Sequence, residues 1–155
     1  MSADKYLDLF EPIVEQVSDG IIFADRQGVI RLWNPGAAAI FGYSAVEVLG
    51  QSLDLIIPER FRPAHWAAFN KGIKTGETKY GRKVLTTRSM RKDGSKLYVD
   101  LSFALVKDKE GQALGAVAMA RDVTSRYFAE NELRRRIADL EEQLTALSAP
   151  GKSNH

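Results

Sequence analysis

The sequence has no cysteine among its 155 residues. That single absence excludes disulfides, thiolate metal sites, thioether-linked haem, thioester chromophores and the cysteinyl adduct of a flavin photosensor. Histidine is nearly as scarce: only His65 and His155 occur, and His155 is the last residue of a polar tail. Any imidazole chemistry therefore falls on His65. No apolar run reaches the about 18 residues of a membrane-spanning helix, and the opening MSADKYLDLF has no basic stretch leading into an apolar one. The expectation is a cytoplasmic protein with no membrane partner. GxSxG, a phosphate-binding P-loop and HExxH are also missing, so the chain is not expected to be an enzyme.

What is present is an ordinary globular composition, 45% hydrophobic and 27% charged. The length suits one core with appendages and is too short for two domains of usual size. Net charge is +2, from 22 basic and 20 acidic residues. Read as interspersed, that balance makes no case for nucleic acid.

Residues 4–17 carry Tyr6, Leu7, Leu9, Phe10, Ile13, Val14 and Val17 on one helical stripe with acids between them. This predicts an amphipathic helix docked on the domain or on a second subunit. Pro12 should break or kink it, because proline lacks the amide and crowds the preceding turn. GIIFAD (20–25) and VIRLWN (29–34), joined through Arg26, Gln27 and Gly28, predict a β-hairpin. Asn34 and Pro35 then open a helix over 36–41 that Gly42 ends, and Ser44 with Glu47 has capping-box spacing. A longer helix at about 60–74 places Phe61, His65, Ala68, Phe69, Gly72 and Ile73 on one face, so His65 looks inward. Three strands follow over about 81–90, 96–106 and 112–122, with turns at 91–94 and 108–111. The middle strand alternates, with Leu97, Val99, Leu101, Phe103 and Leu105 on one face.

After Tyr127 the period becomes helical, and Leu133, Ile137, Leu140, Leu144 and Leu147 are spaced 4, 3, 4 and 3. That is the seam of a two-stranded coiled coil and implies a homodimer; a helix folded back on its own domain would use the same stripe. The whole reads as an α+β domain: a five-stranded antiparallel sheet, helices across one face and a cavity between them. The expected divisions are an N-terminal helix over 1–18, the domain over 19–124, the coiled-coil helix over 125–147 and a disordered tail over 148–155.

Several stretches carry a resemblance. Asp19-Gly20-Ile21-Ile22, Trp33-Asn34-Pro35-Gly36-Ala37-Ala38, Phe41-Gly42-Tyr43, Leu55-Ile56-Ile57-Pro58, Arg91-Lys92-Asp93-Gly94-Ser95 and Arg121-Asp122-Val123-Thr124 occur in order over residues 10–126. Together they resemble the PAS family of sensory domains. The resemblance implies a cavity for a small ligand or cofactor and a signal passed through the sheet to the last helix. It also implies that Arg121, Asp122 and Thr124 form the junction that sets the exit of that helix; helix capping alone is the simpler account.

Arg60-Phe61-Arg62-Pro63-Ala64-His65 resembles the stretch that carries the iron ligand in the haem-binding subset of the family. The implied cofactor is haem b, with His65 as metal ligand and Arg82 as a donor to iron-bound gas. Some members have methionine at the position of Arg82, and this departure implies a gas-accessible iron. Phe69, Ile73, Leu101, Phe103 and Met119 are the expected cofactor-contacting residues. A flavin is a weaker fit, and a ligand-free interaction module stays open. There His65 is a core histidine bonded to a loop, and Arg82 is an edge-strand charge. The expected partners are a second copy, a small-molecule or gas ligand, and an output protein in trans or in a longer parent chain.

Overall fold

The computed structural model describes residues 4–151 in two compact units, the first ending at Val123 and the second starting at Thr124. In the first unit, β1 (Gly20–Asp25), β2 (Ile30–Trp33), β3 (Leu85–Met90), β4 (Lys96–Lys107) and β5 (Ala113–Asp122) form one antiparallel sheet in the order β2-β1-β5-β4-β3. The expected sheet is present. The first and last strands pair at its centre, from Gly20 opposite Ala120 to Asp25 opposite Gly115.

Local chemistry explains most element ends. Gly28 turns the β1–β2 hairpin at φ 76°, and an added Cβ there would collide with the ring of Trp66. Glycine answers both constraints. α3 (Pro35–Phe41) begins at Asn34, whose side chain accepts from the Ala37 amide, and ends at Gly42 in the left-handed conformation. The short α4 (Ala45–Val48) carries the reciprocal Ser44–Glu47 capping box. Two 3-10 turns, Leu53–Ile56 and Glu59–Phe61, lead into α5 (Arg62–Thr75), which Gly76 stops.

The N-terminal helix is broken, as its proline implies, into α1 (Asp4–Leu7) and α2 (Phe10–Gln16). Pro12 lies in the first turn of α2, where its missing amide costs nothing, and the break falls at Asp8, whose carbonyl its ring would crowd. The strand expected from 81 starts only at Leu85; Tyr80 to Arg82 form a turn in which Gly81 takes a positive φ. α6 runs one residue beyond the 147 expected for its end, to Ser148, and residues 152–155, with His155, lie outside the described residues.

The core sits between the sheet and α3–α4. Phe41, Ile30, Leu97, Val48 and Val99 are fully buried in it, and Trp33 tilts against Phe41 with centroids 5.3 Å apart while its indole donates to the Tyr43 carbonyl. Asn34 is as buried as these hydrophobes. Its Oδ1 accepts from the Ile21 and Ala37 amides, and its Nδ2 donates to the Val14 and Asp19 carbonyls at 2.8 and 3.0 Å. All the bonding capacity of this amide is used, so it ties α2, β1 and α3 at one point.

The second unit is α6 (Thr124–Ser148), with no buried residue. Leu133, Ile137, Leu140, Leu144 and Leu147 are each more than half exposed in the single chain. Arg126 pairs with Glu130 one turn on, and Arg135 with Glu132.

Candidate functional site

Small residues leave a void where the sheet and α5 face each other. β1 offers Ala24, β5 offers Ala116 and Ala118, and α5 offers Ala64, Ala68 and Gly72. The inward side of α5 holds no large side chain between Phe69 and its C-terminus. The result is a cavity of about 350 Å³, closed at its sides by Phe61, Phe69, Leu101, Phe103 and Leu105. That volume and apolar wall fall in the range of small-ligand pockets.

His65 stands on this wall, one turn into α5. Its ring meets Trp66 edge-on at 4.8 Å and lies against Phe69 at 6.0 Å. Its Nδ1 is buried and has no hydrogen-bond partner among the described residues. Burial holds the imidazole pKa below its ordinary 6.5, and the nearby Asp54 carboxylate opposes that only in part. The side chain is therefore neutral at pH 7, with a nitrogen lone pair free for a ligand. It is not bonded to a loop.

Asp54 is a site residue that sequence reasoning missed. Trp66 donates its indole N–H to the Asp54 carboxylate at 2.8 Å, and Arg62 donates to the Asp54 and Ile57 carbonyls. These bonds anchor the start of α5 to the preceding 3-10 turn and so fix where His65 stands. An Asp three residues after Gln51 in a polar turn carries no local signal of that role.

The structure brings His65, Phe69, Leu101 and Phe103 together on the cavity wall. Three other expected contacts lie elsewhere. Ile73 shares the stripe of Trp66, seven residues before it, which faces the β1–β2 turn. Met119 is 38% exposed on the outer face of the sheet, because its neighbours Ala118 and Ala120 take the inward positions. Arg82 is exposed in the turn before β3, outside the wall. Hydroxyls stand nearer: Tyr80 and Thr87 both line the cavity, and Tyr80 packs its ring on Phe103 at 5.8 Å.

The junction residues have defined partners. Arg121 makes a two-point pair with Asp19 at 2.9 Å for each bond. Asp122 accepts from Arg91 at 2.7 Å, and the same guanidinium donates to the carbonyls of Ile40 and Lys96. Thr124 is the first residue of α6. Among the described residues no cluster of three or more metal-ligating side chains occurs, and no helix is long and apolar enough to cross a membrane.

A five-stranded antiparallel sheet with helices across one face and a small-residue cavity between them is the architecture of a PAS-type domain. The chain belongs to the PAS family: residues 8–123 match the family model of the PAS fold. It is 28% identical over 136 residues to the oxygen sensor protein DosP of Escherichia coli, covering 87% of this chain and 17% of that protein. It is 24% identical over 136 residues to the sensor protein FixL of Bradyrhizobium diazoefficiens, covering 88% and 26%. The chain thus spans about a quarter or less of these relatives' lengths. Among solved structures, the PAS domain of a Colwellia psychrerythraea protein superposes with a TM-score of 0.67 at 23% identity, over 77% of this chain and 98% of that one. The chain is a PAS sensory module.

Proposed function

We propose that this module holds haem through His65 and reports oxygen, another diatomic gas or redox state to an output region. The observation that carries the reading is the neutral imidazole of His65 on an apolar cavity wall with a buried, unpartnered Nδ1. Such an atom costs stability unless something satisfies it. The residues present suit the group: one imidazole as ligand, apolar faces from Phe69, Leu101 and Phe103, and alanines that leave room for a flat ring. Haem supplies an iron that takes up a diatomic gas or changes redox state. The chain's part would be to hold the ring through His65, exclude water with its apolar wall and supply the hydroxyls of Tyr80 and Thr87 as polar groups in the cavity lining. The likeness to a relative named as an oxygen sensor supports the same reading.

Output follows the strand order. β5 forms one wall of the cavity and runs into Arg121 and Asp122, so a change at the wall reaches the start of α6 through one strand. The exposed seam of α6 fits a partner helix, and the relatives' greater length supports an output region beyond this module.

The test is expression with haem precursor, gel filtration and a visible spectrum. A Soret band in the wild type that is lost in His65→Ala, with folding retained, is the expected result. No pigment in the haem-replete wild type removes the haem reading; a bound flavin absorbance replaces it, and no chromophore at all leaves a ligand-free interaction module. Ile137→Glu with Leu144→Glu should convert a dimer to a monomer by light scattering, because charge cannot be buried in a coiled-coil seam.

A further inference from the structure

The near-neutral balance of the whole chain conceals a strong segregation of charge. Residues 60–96 hold eleven of the 22 basic residues and two of the 20 acidic ones. Between Arg60 and Arg88 the only acid is Glu77. The even mixing that argued against nucleic acid does not hold in this part of the molecule.

The cations form a band on one side of the domain. Arg60, Lys71 and Lys74 are eleven and three residues apart, three turns and one turn, so they share a stripe of α5 and its lead-in. That stripe is neither the inward one of His65 nor the one of Trp66 that meets the hairpin. Lys79, Arg82 and Lys83 continue the band through the following loop towards β3, the edge strand. Lys79 and Arg88 stand at the rim of the cavity. All of these side chains are exposed, and none has an acidic partner among the described residues. Other cations of the domain do have acidic partners: Arg31 pairs with Asp25, Arg62 with Asp54, Arg91 with Asp122, Lys92 with Glu47 and Arg121 with Asp19.

We propose that this band binds the phosphate backbone of nucleic acid without regard to sequence. A charged edge strand that discourages aggregation would need cations on β3 alone, and here they occur from the 3-10 turn before α5 to the last turns of α5 and through the following loop. An ordinary solvated face mixes both signs. A protein partner needs an apolar centre in its interface, where lysine is depleted. Within residues 60–88 only Phe61 and Val84 are exposed large hydrophobes, while most of the others lie before Val17, around α4 and along α6. Interfaces with nucleic acid are far more positive and do not need that centre. The Arg60 guanidinium lies 4.5 Å over the exposed Phe61 ring, an apolar surface on which a base can stack.

Fluorescence anisotropy with a labelled duplex of about 20 base pairs at low salt tests the proposal, which predicts a dissociation constant of about 10⁻⁵ M, typical of non-specific binding. Its logarithm should vary with that of the salt concentration with a slope of about 4 to 6, near 0.9 per phosphate contacted. Lys71→Glu, Lys74→Glu and Lys83→Glu together should weaken binding at least about tenfold and lower the slope. The same charge change placed elsewhere, by Lys109→Glu, Arg134→Glu and Arg136→Glu, should leave affinity within about twofold. If the triple reversal fails to fold, the Gln versions of the same three positions give the same comparison. Absence of binding by the wild type, equal loss in the control variant, or equally tight binding of poly-L-glutamate overturns the proposal, the last in favour of an acidic protein partner.

Discussion

The two ends of the domain are built on opposite principles. Around α3 and β2 the interior is filled: Ile30, Phe41, Val48, Leu97 and Val99 are fully buried, and Asn34 uses every bond it can make. Around α5 and β3 it is hollow, since Gly72 is the only fully buried residue of α5 and the sheet opposite presents alanines. The filled end pins the strands in register. The hollow end gives up packing energy, roughly 25 cal/mol for each Å² of apolar surface left unburied, and retains room for a guest.

Matched truncations should expose that difference most. Phe41→Ala is expected to cost about 4 kcal/mol and Phe69→Ala about 1 kcal/mol in urea unfolding, because only the first opens a new cavity in packed surroundings. Similar losses at both sites would mean that the hollow end is packed in solution. Asn34→Ala should cost about 3 kcal/mol by stranding the amides of Ile21 and Ala37 and the carbonyls of Val14 and Asp19, and hydrogen exchange at the Ile21 and Ala37 amides should rise with it.

At the hollow end the sign should reverse. His65→Leu is expected to stabilise the ligand-free domain by about 1 kcal/mol, since it removes an unsatisfied buried nitrogen while keeping volume. The same residue sets a pH dependence. Its folded pKa lies below the 6.5 of the unfolded chain, so the unfolded state binds the proton first. Stability is full above 6.5 and is lost as pH falls from there through the folded pKa. Urea midpoints between pH 7 and pH 5 should decline in the wild type and flatten in His65→Leu. The smallest effect belongs to Arg31→Met, at about 0.5 kcal/mol, because its pair with Asp25 is largely exposed on the arginine side.

The filled end was the more legible in sequence. Its signals are local: Asn34 before Pro35, Ser44 before Glu47, and the alternation from Leu97 to Leu105 act within a few residues of themselves. What stayed hidden is non-local, as when Asn34 reaches Val14 twenty residues back or Asp54 holds Trp66 twelve residues on. The hollow end also inverts the usual rule. On β5 the small residues face inward and Met119 faces out, so assigning the larger side chain to the site fails where the site is made of space. His65 was legible because scarcity left no competitor; Arg82 was misplaced because the strand starts three residues after it.

Because the cavity is made by leaving atoms out, its size can be edited a methyl group at a time. A Cβ added at Gly72 would meet its nearest neighbours, the Glu77 carbonyl and Leu105, only at 3.5 and 3.9 Å, and no left-handed φ stands in the way. One base change could therefore narrow the chamber while Asn34, Phe41 and the strand register stay untouched. Cavity size and fold are written in separate sets of residues, so the chamber can be reshaped without the domain relearning how to fold.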